Sequence, residues 1–272
     1  MPRNPDPLVT IDSWPAAHAA VGVTRAEEPL ATRGPMEQPF PLASVTKLLT
    51  ALAVLVAVEE GTLALDEPAG PPGATVAHLL AHASGLGPEG EAMSAPGWRR
   101  IYSNAGFEVL GRLVEERSGI TFETYVTEAV LHPLGMKATT IPGSPAWGAS
   151  GSAGDLLALG RELLAPGVIS PAILGQATAV AFPGLDGVLP GFGRQTPNDW
   201  GLGLELRDAK SPHWTGSRNS PRTFGHFGRS GTFLWVDPDA GLACACVTDH
   251  DFGPWAAEAW PKLSDVVLAA FA

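Results

Sequence analysis

Hydrophobic and polar positions along the chain change their period twice. Short alternating runs around Ala20–Arg25 and Pro29–Arg33 predict two strands, joined by a hairpin at Glu27 and Glu28. A charge-free stretch from Ala51 to Val58 then extends a helix that begins near Ser44 and stops at Glu60, where Gly61 follows. From Asp66 to about Gly193 the pattern is helical, broken by Gly/Pro loops, with helices expected over Val76–Ala83, Ala105–Arg117, Phe122–Val130 and Ala153–Leu164. The last third alternates again, predicting strands over Gly201–Leu206, Arg222–Phe227, Phe233–Val236 and Leu242–Thr248. An amphipathic helix over Trp255–Phe271 closes the chain.

Strands at both ends and helices between them predict an α/β (α+β) fold in which one sheet draws on both termini. The expected organisation is a single unit over 1–272, with a sheet region from about 1–65 and 198–272 and a helical region of about 66–197. A cleft between the two regions is the default ligand site.

Composition narrows the function classes. Apolar residues make up 45% and charged residues 17% of the 272, the balance of a globular chain. A net charge of −11 argues against nucleic acid or an anionic membrane surface as partner. The first thirty residues lack the apolar stretch of a secretion signal, and Pro2, Pro5 and Pro7 interrupt them. No segment has the length and apolarity of a membrane span, so the expected location is cytoplasmic. Cys244 and Cys246, two apart in a strand, suit core packing better than a disulfide. Lysine occurs only at 47, 137, 210 and 262, and tyrosine only at 102 and 125, so those that fall in motifs stand out.

Three stretches carry candidate chemistry. Ser44 and Lys47 share a helix face, and a lysine buried in that apolar stretch loses basicity until it can accept the serine proton. The alternative is an N-cap serine with a lysine that reaches solvent. Tyr102 and Asn104 precede a well-patterned helix, where the phenol could relay protons if a cation lowered its pKa and the amide could orient substrate. Alternatively the tyrosine packs while Ser103 or Asn104 caps the helix. His226, on an edge strand and followed by Gly228, offers a side-chain donor, and the Arg229 amide could supply half of an oxyanion hole. His78 and His82 are four apart, a spacing that suits zinc, but no third ligand is evident and a structural role is expected. Trp200 is a candidate cleft wall and Trp235 a core residue; the Arg229 side chain is read as solvated.

Taken in order, Ser-x-x-Lys, Tyr-x-Asn and His-x-Gly resemble the serine β-lactamase and penicillin-binding protein superfamily, in particular its class C-like branch of esterases, D-stereospecific peptidases and acyltransferases. His78–Leu86, Pro133–Met136, Asp155–Leu159 and Leu234–Leu242 are similar to further landmarks of that family, so the resemblance spans about 20–248. It implies a β-lactamase/transpeptidase-like sheet flanked by terminal helices, with Ser44 as acylated nucleophile, Lys47 and Tyr102 as its proton-transfer partners and Asn104 as a substrate-amide contact. The resemblance also implies that His226 takes the place of a lysine common in relatives, and that the Ser44 and Arg229 amides, with Gly228 before the latter, would form the oxyanion hole. No metal or organic cofactor is required. The implied partner is a small-molecule ester or amide. The loss of a permanent charge at position 226 favours a small-ester carboxylesterase over a β-lactamase, peptidase or acyltransferase. A non-catalytic binding protein on the same fold is the reading from another class.

Overall fold

The computed structural model describes residues 6–272; the first five residues of the expected sheet region lie outside them. The sheet has six antiparallel strands: β1 (Ala19–Thr24), β2 (Pro29–Arg33), β3 (Glu205–Leu206), β4 (Phe224–Gly228), β5 (Thr232–Asp237) and β6 (Leu242–Thr248), in the order β2-β1-β6-β5-β4-β3. The N-terminal hairpin therefore pairs with the last strand, Val21 opposite Cys246 and Val23 opposite Cys244.

Both faces of the sheet are covered, which explains why the run Ala243-Cys-Ala-Cys-Val247 carries no polar residue. One face, with Ala243, Ala245 and Val236, packs on the helical region. The other, with Val21, Val23, Phe233, Trp235, Cys244 and Cys246, packs on the C-terminal helix through Trp260, Leu263 and Val267. Both cysteines and Trp235 are core residues.

Four longer helices frame the site: α1 (Thr46–Glu59), α2 (Asn104–Ser118), α3 (Ala153–Leu164) and α4 (Pro254–Phe271). Helix α1 is buried from Thr46 to Ala57 and runs through the middle of the molecule, so it is apolar on every side. Ser103 caps α2, its hydroxyl accepting from the Gly106 amide at 3.0 Å, and Gly119 ends it in the left-handed conformation. Helix α3 lies close on the sheet because Gly160 meets Ala243; a Cβ there would sit 2.9 Å from that side chain.

Several boundaries differ from the sequence expectation for local reasons. The strand expected over Gly201–Leu206 shrinks to Glu205–Leu206, because Gly203 turns at φ +80° and the Gly201 amide closes the turn onto the Leu204 carbonyl at 2.9 Å. The helix expected to reach Ala83 stops at Leu80, since His82 takes φ +54°. The helix from Phe122 gives way to a π turn over Thr127–Leu131. On the N-terminal side the flanking helix is a short 3-10 turn, Val9–Ser13. Strand β4 is an edge only in part, because β3 covers Phe224 and Gly225 and leaves His226 beyond its end.

Candidate active site

The nucleophile candidate does not sit inside a regular α-helix. Ala43, Ser44 and Val45 form a 3-10 turn that leads into α1, and Ala43 holds φ +44°, a conformation that costs a residue with a Cβ about 1–3 kcal/mol. Clamps on both sides hold this turn. The Thr232 hydroxyl donates to the Leu42 carbonyl at 2.9 Å, Ser230 to the Pro41 carbonyl at 2.6 Å, and the Leu42 amide to the Ala149 carbonyl at 2.9 Å. Neither the Ser44 amide nor the Arg229 amide donates to another group among the described residues, so both remain available to a ligand oxygen. Gly228 permits their approach: a Cβ at this position would lie 2.4 Å from the Leu42 carbonyl oxygen.

Lys47, three residues after Ser44, is fully buried. Its Nζ donates to Asn104 Oδ1 at 2.7 Å and to the Ala146 carbonyl at 2.8 Å, and lies 4.8 Å from the Tyr102 ring centre. Burial lowers its pKa to about 7, against an upward pull from Glu108. A neutral amine has two hydrogens, both of which these oxygens take, and one lone pair left to act as a base. Asn104, expected as a substrate contact, thus spends its oxygen on Lys47 and keeps only its NH2 for a ligand.

Tyr102 and Ser44 line the same cavity. The condition of a cation that lowers its pKa is not met: burial pushes the phenol up, and the Ser44 hydroxyl offsets this only in part. The ring is gripped by His82, 4.6 Å away, whose Nδ1 accepts from the Ser103 amide at 3.2 Å and whose carbonyl accepts from Ile101 at 2.9 Å. His82 thus positions the tyrosine loop, while His78 stacks on Phe182 at 4.1 Å. Among the described residues no group of three or more His, Cys, Asp and Glu side chains is placed to hold a metal ion.

His226 is buried, and its Nδ1 lies 2.7 Å from the Phe227 carbonyl oxygen. A carbonyl only accepts, so Nδ1 carries the proton and Nε2 presents a lone pair. The expected side-chain donor is therefore an acceptor. Burial, then the Lys47 charge, lower its pKa to about 3, which keeps the ring neutral.

Ser44, Tyr102 and His226 meet at one cavity of about 300 Å3, lined also by Leu189, Trp200, Phe227, Phe252 and the exposed Arg229. Glu205 lines it too, with both carboxylate oxygens engaged, Oε1 by Lys210 and Oε2 by His213 and Trp214 at 2.9 Å each. Burial alone would raise this carboxyl, but Lys210 and His213 hold it down to about 2.

A family model described as Beta-lactamase matches residues 8–268. The chain belongs to the beta-lactamase family. The antiparallel sheet with its helices is the family fold. A crystal structure named a beta-lactamase from Mycobacterium bovis is 54% identical and superposes with a TM-score of 0.96, covering 97% of this chain and 99% of that one. The D-alanyl-D-alanine-carboxypeptidase/endopeptidase AmpH of Escherichia coli (strain K12) is 28% identical over 176 residues, 51% of this chain but only 45% of AmpH. The fold is shared at 19% identity, TM-score 0.79, with EstCE1, named a hydrolase with promiscuous acyltransferase activity, over 95% of each chain.

The motif residues at 44, 47, 102, 104, 226, 228 and 229 come together in space. Sequence reading missed Ala146, whose carbonyl binds Lys47 from ninety-nine residues away, and Leu189 and Phe252, which wall the cavity. None of these three has a distinctive residue type or spacing. Glu108 was legible only as an exposed-type position on α2, although it hydrogen-bonds Ser144 and so braces the loop that carries Ala146.

Proposed function

We propose that this protein hydrolyses small esters through a covalent ester on Ser44. One observation supports the reading most: Ser44 and Tyr102 line one largely apolar cavity, with Ser44 three residues from a buried lysine with a pKa of about 7. In this reading neutral Lys47 takes the Ser44 proton by way of the Tyr102 hydroxyl as Ser44 Oγ bonds to the substrate carbonyl carbon. The carbonyl oxygen becomes an oxyanion held by the Ser44 and Arg229 amides. Collapse of this intermediate breaks the bond to the alcohol oxygen, which receives the proton back through Tyr102. Water then repeats the sequence on the acyl-enzyme and releases the acid. The neutral ring of His226 forms part of the cavity wall.

The apolar lining suits a short acyl chain, and a neutral His226 offers no permanent cation to a β-lactam carboxylate. A second reading, β-lactam or D-peptide hydrolysis, draws on the 54% identity to the Mycobacterium bovis protein and on the AmpH match. The test is adduct mapping by mass spectrometry after treatment with a serine-directed phosphonate, followed by comparison of a short-chain nitrophenyl ester with a chromogenic cephalosporin. A Ser44 adduct with faster ester turnover is expected. A folded sample with no adduct at Ser44 refutes the hydrolase reading, and a large preference for the cephalosporin refutes the esterase reading.

A further inference from the structure

The cleft does not end at Tyr102. A second cavity of about 470 Å3 shares Tyr102 and Pro190 with the first and is walled by Met93, Arg99, Asp186, Val188 and Arg194. The two arms differ in character. The first is mostly apolar, its polar lining being Ser44, Tyr102, His226, Arg229 and the ion-paired Glu205, while the second combines exposed apolar side chains, Met93 at 47% and Val188 at 59%, with arginines.

Those arginines are not equivalent. Arg194 lies 2.7 Å from Asp186, so its charge is matched. Arg100, which also lines this cavity, is buried and donates to the carbonyls of Ala81, Ala181, Phe182 and Asn198. Arg99 is exposed and takes part in none of the ion pairs among the described residues. An uncompensated guanidinium on a cavity wall, in a chain of net charge −11, is a local attractor for an anion. Guanidinium and carboxylate match each other in a two-point fork. A dianion would also face Asp186, so a single carboxylate fits better.

The position of the reacting groups decides which part of the substrate enters this arm. Ser44 and Arg229 line only the first arm, so the acyl carbon and its oxyanion belong there. Tyr102, which returns the proton to the departing oxygen, borders both. The leaving alcohol therefore departs past Tyr102 into the second arm.

We propose that the second arm is a binding site for the alcohol portion of the substrate, and that this portion carries a carboxylate held by Arg99 over an apolar body resting on Met93 and Val188. This rests on the ester-hydrolase reading of Ser44.

The experiment compares two butyrate esters of nearly equal shape and reactivity, one of 3-hydroxybenzoate and one of 3-hydroxybenzamide. The wild-type chain should prefer the carboxylate ester by about fivefold or more in kcat/KM, the scale of one partly exposed ion pair. High salt should erode the preference. In Arg99→Gln the ratio of the two esters should fall to about one, and Arg99→Lys should restore part of it. Since each ratio is taken on one protein sample, a loss of folded material cancels. A wild-type ratio near one, or a ratio unchanged by Arg99→Gln, overturns the proposal.

Binding of 3-hydroxybenzoate to Ser44→Ala, measured by calorimetry with and without Arg99→Gln, separates the two readings. If neither ester turns over but 3-hydroxybenzoate binding still depends on Arg99, the site stands and the ester-hydrolase reading falls. If binding is also independent of Arg99, the site falls as well.

Discussion

The pH dependence of kcat/KM distinguishes the three side chains that could accept the Ser44 proton, because the structure gives them widely separated pKa values. Lys47 is lowered to about 7 by burial, His226 is lowered to about 3 by burial and then by Lys47, and Tyr102 is raised by burial. A base works in its deprotonated form, so activity is lost as pH falls through its pKa. With Lys47 as base, about half the enzyme is competent at pH 7 and only about one part in a hundred at pH 5, a drop of about tenfold per unit below neutrality. With His226 as base the profile would be flat from pH 5 to 9, and with tyrosinate as base it would still be rising at pH 10. The assay is product quantification on a short-chain ester from pH 5 to 10, with circular dichroism confirming that the fold survives at each pH. Glu108→Gln adds a second arm. The Glu108 charge raises Lys47, so its loss should move the acid limb to lower pH. The groups that face Lys47 from the other elements are Tyr102, Asn104, the Ala146 carbonyl, His226 and His82, and the Gln amide oxygen can still accept from Ser144, which braces the Ala146 loop. A flat profile between pH 5 and 8, or a limb that moves upward in Glu108→Gln, would refute Lys47 as the base. The same shift has a stability consequence. An unfolded lysine holds its proton up to about 10.5, so stability should rise by about 1.4 kcal/mol per unit from pH 7 toward that value.

Three substitutions extend the reasoning. Tyr102→Phe removes the hydroxyl proposed to relay the proton from Ser44 to Lys47 and should lower kcat/KM by at least about a hundredfold; near-normal turnover would show that the serine proton takes another route. Gly228→Ala places a Cβ 2.4 Å from the Leu42 carbonyl oxygen and 2.6 Å from Thr232 Oγ1, so the strand must shift away from the nucleophile turn. Separating the two oxyanion amides should cost about a hundredfold in kcat, and an unchanged kcat would remove the Arg229 amide from the proposed hole. Lys210→Met leaves the buried Glu205 carboxylate without its cation and should destabilise the fold by about 3–5 kcal/mol in denaturant melts. A loss below about 1 kcal/mol would mean that His213 and Trp214 alone hold the carboxylate.

Much of this architecture was legible along the chain. The strand period at both ends and the helical period between them depend on which side chains face a core, and that is written locally in residue order. So are the three-residue step from Ser44 to Lys47, the placement of Tyr102 and Asn104 ahead of a helix capped by Ser103, and the His226–Gly228 strand end. Pairing order was less legible, and the β2-β1-β6-β5-β4-β3 sheet appears only once the chain has closed on itself.

The chemistry of the site belongs to the tertiary structure. The spacing of Ser44 and Lys47 says nothing of how dry the lysine is. That follows from Asn104, Ala146 and Phe107, brought to it from distant parts of the chain. The tautomer of His226 is set by the Phe227 carbonyl, the left-handed turn at Ala43 by clamps from Thr232, Ser230 and Ala149, and the second arm of the cleft by the meeting of the Met93–Tyr102 loop with the 186–194 hairpin. Periodicity is a property of near neighbours, and sequence therefore determines it. Desolvation, cavity shape and the direction of a lone pair depend on atoms far away along the chain, and only the fold brings those atoms together.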